Sequence, residues 1–257
     1  MARSRTAWPV LQGAEAFTFP GEDVGVLLVH GFTGCPQSLR PWGEALRGAG
    51  LAVDCPLLPG HGTHHSDLAA VRWPAWAGAV QDAYGRLAAS SRAVVVAALS
   101  FGGALALHLA AGDPEKLAGV VVVNPYLLPR DDARLALLPV LKYVMPTARG
   151  VGNDVFDGQA ELAYERVPLK AFASVLAFQA RVRAELARVR VPVRVYASRQ
   201  DHVIHPDNAR LVADGVGSED VELIWLERSY HVATLDVEAQ QIFDGTLDFI
   251  RRVASSR

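Results

Sequence analysis

Residues 94–104 run Val-Val-Val-Ala-Ala-Leu-Ser-Phe-Gly-Gly-Ala, and they constrain the fold more than any other stretch of the chain. A β-branched run breaks off at Ser100, and two glycines then open an apolar, unbranched segment. That order predicts a strand, a sharp turn and a helix, with the serine on the turn. A serine so placed sits in strained backbone, its hydroxyl held out at the end of a sheet. The crowded positions two before and two after it must be small, and here they are Ala98 and Gly102. The usual pattern is G-x-S-x-G, so Ala98 departs from it by one methyl. Two readings compete: an exposed nucleophile, or a serine that caps the next helix.

A second segment favours the nucleophile. Residues 24–34, Val-Gly-Val-Leu-Leu-Val-His-Gly-Phe-Thr-Gly, are another buried-type strand that stops in a Gly-rich turn. In a serine hydrolase built this way, one oxyanion donor is the amide after the nucleophile and the other comes from the loop after an earlier strand. The amides of Phe101 and Phe32 stand at those places. His30 comes too early in the chain to be the base and reads better as a structural histidine under the loop.

The remaining partners are expected in the order acid, then histidine. Val-Pro-Val-Arg-Val-Tyr-Ala-Ser at 191–198 reads as a strand and is followed by Asp201; Val-Glu-Leu-Ile-Trp-Leu at 221–226 reads as the next and is followed by His231. Both then fall just beyond strand ends, on the sheet edge that carries Ser100. His202 and His205 compete for the base and Asp207 for the acid. His205-Pro206-Asp207 fits a helix start better, with proline in the first turn and an acid at the positive end of the dipole. His231 at its ordinary titration range would make activity fall on the acid side at about pH 6–7.

Elsewhere β-like and helix-like segments alternate: strands at 24–30, 51–55, 93–99, 117–123, 191–197 and 221–226; helices at 37–49, 74–90, 101–111, 206–215 and from about 237 to 253; and a short edge strand near Phe17–Phe19. Continuous Val/Leu runs imply strands covered on both faces, hence a mostly parallel central sheet flanked by helices. The interval 125–190 is broken by Pro125, Pro129, Pro139, Pro146 and Pro168. It is too long for a plain loop and predicts a cap, a helix packed on the body, or both. A chain of 257 residues, 51% hydrophobic, suits one α/β domain that needs neither disulfide nor metal.

A formal charge of −2 with no polybasic block gives no reason to expect nucleic acid. The basic start, Met1 to Pro9, is not followed by an apolar leader segment, which predicts a cytoplasmic protein with Cys35 and Cys55 as reduced thiols. The histidines of Pro59-Gly-His-Gly-Thr-His-His65 lack the pattern of a hydrolytic zinc site and read as a hydrogen-bonded turn. No metal and no cofactor are expected.

Several blocks together carry a resemblance: His30-Gly-Phe-Thr-Gly34 with Cys35-Pro-Gln-Ser-Leu-Arg-Pro41, Gly60-His-Gly-Thr-His64, Leu99-Ser-Phe-Gly-Gly103, Glu161-Leu-Ala-Tyr-Glu165, Asp201-His-Val203 and Ser229-Tyr-His-Val-Ala-Thr-Leu-Asp236. In this order the chain resembles the bacterial monoacylglycerol lipases of the α/β-hydrolase superfamily, and beyond them the small bacterial carboxylesterases. The resemblance implies the α/β-hydrolase fold, with a core of 1–124 and 191–257 and a cap inserted at 125–190. It implies Ser100, Asp201 and His231 as catalytic triad and the Phe32 and Phe101 amides as oxyanion hole. It adds Glu161, which matches a cap carboxylate that contacts glycerol hydroxyls in those lipases; a solvated acid at a helix start is the plainer alternative. The implied activity is hydrolysis of monoacylglycerols to glycerol and fatty acid, with transient membrane-surface contact through the cap. A broad esterase for short acyl chains, or a non-catalytic receptor on the same fold, are the alternatives. The Pro-rich segment 125–146 has no match and bears on acyl length and membrane contact.

Overall fold

The computed structural model describes residues 8–130, 132–150 and 153–255; the basic opening stretch read above lies mostly outside them. In chain order the elements are β1 (Phe17–Phe19), β2 (Val24–Val29), α1 (Arg40–Gly48), β3 (Ala52–Cys55), α2 (His65–Leu68), α3 (Trp73–Ser90), β4 (Ala93–Leu99), α4 (Phe101–Ala111) and β5 (Leu117–Val123). There follow α5 (Leu138–Val144), β6 (Thr147–Arg149), β7 (Arg166–Pro168), α6 (Leu169–Glu185), β8 (Val193–Ser198), α7 (Asp207–Gly215), β9 (Val221–Leu226) and α8 (Ala239–Ala254).

Among the described residues, seven strands form one sheet in the order β1-β3-β2-β4-β5-β8-β9. Only β1 runs antiparallel, pairing with β3 at the edge. Every residue of β2, β4 and β5 is buried, which is why these strands read as unbroken apolar runs rather than as alternation. Alternate side chains divide between two cores. Val94, Val96 and Ala98 face α3, α4, α6 and α7, while Val95, Ala97 and Leu99 face α1 and α8. Because the central strands are parallel, their C-terminal ends and the loops after them share one edge, which gathers the turns after β2, β4, β8 and β9.

The helix expected at 37–49 is a 3-10 turn at Pro36–Leu39 followed by α1. Pro36 and Pro41 each lack an N–H for the helical ladder, so the chain turns tightly before regular helix begins. Cys35 and Cys55 are buried free thiols.

The interval 125–190 has two parts. From Tyr126 to Pro168 it holds short elements, α5 and the three-residue pair β6–β7. α6, in contrast, buries Ala171, Val175, Phe178 and Val182 in the same core as α4. Leu137, Val140, Tyr143, Val144 and Met145, on and beside α5, are exposed. Among the described residues no helix is long and apolar enough to cross a membrane.

Candidate active site

Ser100 occupies the corner between β4 and α4 with φ 56° and ψ −122°, in the left-handed half of backbone space that a side chain rarely enters. Backbone bonds on both sides hold it there: its N–H donates to Val123 O at 2.9 Å, and its C=O accepts from Gly103 N and Tyr126 N. The corner brings α4 hard against the loop after β2. A Cβ on Gly102 would sit 2.2 Å from Val29 O, so only glycine fits. Ala98 is fully buried within β4, opposite Val29 and Val122, so its methyl is accommodated in the sheet.

The Ser100 hydroxyl meets His231 Nε2 at 2.9 Å, and His231 Nδ1 meets Asp201 Oδ2 at 2.6 Å. All three side chains are buried. The other oxygen of Asp201 accepts the N–H groups of Val203 and Ile204, which fixes the carboxylate in the loop after β8. His231 feels opposing influences. Burial pushes its pKa down, but the Asp201 charge and hydrogen bond, with smaller contributions from Glu161 and Asp154, push it up and win. The expectation of an ordinary histidine range is therefore moved upward, because sequence alone does not reveal three carboxylates around one imidazole.

Phe101 is the first residue of α4, where an amide N–H has no acceptor within its own helix. Phe32 precedes Thr33, which takes a φ of 69° in the loop after β2. A Cβ on Gly31 would lie 3.3 Å from that of Ser100. The Phe32 and Phe101 rings meet edge to face at 6.0 Å, and Phe32 also packs against Trp76 and Phe172. His30 lies beneath the loop, with Nδ1–H donating to Gly31 O and Nε2 accepting from Leu58 N; burial lowers its pKa to about 4. It is a neutral structural histidine, as its place in the sequence suggests.

Glu161 is half-buried in the irregular segment between β6 and β7 and does not start a helix. Its Oε1 would come within 2.6 Å of a Cβ on Gly34, so this glycine of the loop after β2 makes room for it. Burial raises its pKa to about 7, opposed by the charge of His231. The competing residues lie apart from the serine. His205 pairs with Asp207 at an exposed helix start, and His202 pairs with Asp154 at 2.8 Å. His61 bonds Pro59 O, and His64 caps α2 through Ser66 N.

Two residues that sequence reasoning passed over hold this site together. Asn124, at the end of β5, donates to Ser198 Oγ and to the carbonyls of Tyr230 and His231, and accepts from Ser198 N. Its φ of 44° and the proline after it are the local signs of a special corner. Asp154 accepts from the backbone N–H groups of His231 and His202.

A sheet that ends in a strained serine, with histidine and aspartate on the loops after its last two strands, defines a serine hydrolase of the α/β-hydrolase fold. The chain belongs to the family described as serine aminopeptidase, S33, which matches residues 22–238. It is 37% identical to a thermostable monoacylglycerol lipase from Bacillus sp. (strain H-257), over 96% of this chain and 98% of that one. It is 29% identical to a carboxylesterase from Bacillus subtilis (strain 168), over 92% and 96%. Among solved structures, one from work on the metagenome-derived lipolytic enzymes LipS and LipT superposes with a TM-score of 0.91 at 38% identity, over 95% of this chain and all of that one. The fold is shared with a monoacylglycerol lipase of Paleococcus ferrophilus, which gives a TM-score of 0.76 at 20% identity, over 92% of this chain and 98% of that one.

Proposed function

We propose that this enzyme hydrolyses monoacylglycerols to glycerol and a fatty acid through a Ser100 acyl-enzyme. The observation that carries the reading is the unbroken chain of hydrogen bonds from Ser100 Oγ through His231 to Asp201. A serine hydroxyl is a weak nucleophile until a base within reach takes its proton. His231 takes that proton as Oγ attacks the ester carbonyl, then delivers it to the leaving alcohol. Asp201 fixes the imidazole tautomer and stabilises the imidazolium. The Phe32 and Phe101 amides hold the tetrahedral oxyanion, each such donor lowering the barrier by about 3 kcal/mol. Water then repeats the cycle and releases the acid.

The choice of alcohol rests on Glu161 and on the named lipase relative. A carboxylate beside the oxyanion loop suits a leaving group with two free hydroxyls. We take the insertion 125–190 as the cap, with α6 rooting it in the body. The exposed apolar side chains around α5 support contact with lipid aggregates. Two buried free thiols fit a reducing compartment, and we place the enzyme in the cytoplasm.

The crowding of Phe32 by Trp76, Phe101 and Phe172 favours a second reading, a carboxylesterase for short acyl chains. A panel of monoacylglycerols and p-nitrophenyl esters of graded chain length separates the two. Preference for monoacylglycerols over p-nitrophenyl esters of equal chain supports the lipase. Indifference to the glycerol, with rates falling steeply beyond short chains, replaces it with the esterase.

A further inference from the structure

We propose that Asp154 is a positioning residue: a cap carboxylate that locks the loop bearing the acid to the loop bearing the base. The inference rests on the triad reading above and extends it to a residue that no motif singled out.

Asp154 is buried and lies on the segment that leads into Glu161. Its Oδ2 accepts the N–H of His231 at 3.0 Å and the N–H of His202 at 3.2 Å. Its Oδ1 meets His202 Nδ1 at 2.8 Å, and its own backbone C=O accepts from Val232 N at 3.0 Å. One residue thus joins the loop after β8, next to Asp201, to the loop after β9 at the base itself. Asp236 adds a reciprocal tie, accepting from Tyr230 N on the base loop and from Phe156 N and Asp157 N on the cap segment. The cap cannot move away from the body here without releasing the backbone of His231.

This placement has a chemical consequence. The Ser100–His231 distance depends on where the His231 backbone sits, and Asp154 is the side chain that grips that backbone on the cap side. Displacing a catalytic group by about 1 Å can cost about 100-fold in rate. The Asp154 charge also helps raise the His231 pKa, behind Asp201 and Glu161, and Asp154 is itself paired with His202. Loss of the carboxylate therefore acts on both the position and the titration of the base.

The test compares Asp154→Ala, Asp154→Asn and Asn153→Ala on a p-nitrophenyl ester, with active serines counted by fluorophosphonate titration. Asn153 holds the same segment through Glu161 N but does not touch the base loop. Asp154→Ala is expected to lower kcat about 10- to 100-fold with KM within about two-fold, and to move the acid limb of kcat/KM to lower pH. Asp154→Asn keeps an oxygen for the His231 N–H; it should recover most of kcat while its acid limb stays low. Asn153→Ala should leave kcat within about two-fold. An Asp154→Ala enzyme with full kcat and an unmoved acid limb overturns the proposal, as does an Asn153→Ala enzyme that is equally slow. If the alanine variant does not fold, Asp154→Asn decides alone, and an unshifted acid limb refutes the role. Failure of the wild-type enzyme to react with the fluorophosphonate would instead overturn the triad reading itself.

Discussion

The sheet-and-helix body and the segment we propose as the cap are built on different principles. In the body, Ser100 is fixed by bonds from its N–H and C=O, by the close contact at Gly102, and by strands buried along their whole length. In the segment proposed as the cap, three-residue strands and a seven-residue helix with exposed apolar side chains accompany the irregular stretch that holds Glu161. The segment around Glu161 is tied to the body by Tyr164 N on Thr33 O, by Gln37 on Ala160 O and Leu162 N, and by the Tyr164 hydroxyl on Gly60 O and Thr63 N. The difference teaches that Ser100 is placed by over-determined backbone, whereas the segment around Glu161 is held mostly by side-chain bonds to loops of the body. Changes should therefore differ in kind: loss of Ser100 abolishes the reaction, loss of Asp154 slows it on every ester, and loss of Glu161 redirects it between esters.

The largest expected effect tests the body. Ser100→Ala removes the nucleophile while leaving the packing around it intact, and should relieve rather than add crowding. Turnover of every ester should fall on the order of 10⁴- to 10⁶-fold, with an unchanged thermal unfolding curve. A folded, contaminant-free variant with near-normal turnover would end the acyl-enzyme mechanism.

The same division explains what could be read in advance. β2, β4, β5, β8 and β9 are legible because strands covered on both faces must be continuously apolar, and each ends where a turn residue begins. The serine corner, the oxyanion glycines and the loops bearing Asp201 and His231 follow from those ends. Asp154 and Asn124 are not legible. Each is one polar residue in irregular chain, and its partners at His231 lie 77 and 107 positions away, so no local period or motif marks it. α6 is hidden differently: the prolines that precede it in 125–168 suggest a lid, and the packing of Ala171, Val175, Phe178 and Val182 in the core of α4 shows it to be part of the body. The upward shift of His231 is likewise a property of the assembled carboxylates.

Next in size comes a test of the cap. If Glu161 accepts hydrogen bonds from the glycerol hydroxyls, Glu161→Ala should lower kcat/KM for a monoacylglycerol about 10- to 100-fold, since bonds to a charged group contribute roughly 1.5–3 kcal/mol. A p-nitrophenyl ester of the same chain lacks those hydroxyls and should change little. Equal losses on both esters would make Glu161 a structural part of the cap and erase the distinction drawn here.

A smaller effect concerns the outer face of the cap. Val140 and Val144 are largely exposed, so Val140→Ser with Val144→Ser should alter stability by no more than about 0.5 kcal/mol each. If this face touches lipid aggregates, the double variant should lose a few-fold in rate on aggregated monoacylglycerol and nothing on a dissolved short ester, an expectation that follows from the apolar area given up. Equal rates on aggregated substrate would leave the patch without a role in catalysis.

The smallest effect is the most direct measure of how far the cap reaches into the body. The reaction needs neutral His231, so kcat/KM falls as pH drops through the pKa of the imidazole. Because the surrounding carboxylates outweigh burial, that acid limb should lie above the ordinary histidine value of about 6.5. Glu161 is one of those carboxylates and itself titrates near the same region, with its pKa raised to about 7. On the alkaline side of that value it is charged and favours the imidazolium. Glu161→Gln removes the charge and keeps the shape, so the limb should move to lower pH by a few tenths of a unit, the size expected of a secondary charge beside a dominant Asp201. The measurement uses a p-nitrophenyl ester, for which Glu161 has no hydroxyl to bind, so any shift reports the field at His231 alone. An unmoved limb would mean that the cap carboxylate is screened from the base, and that the cap governs which ester is held without tuning the group that cleaves it.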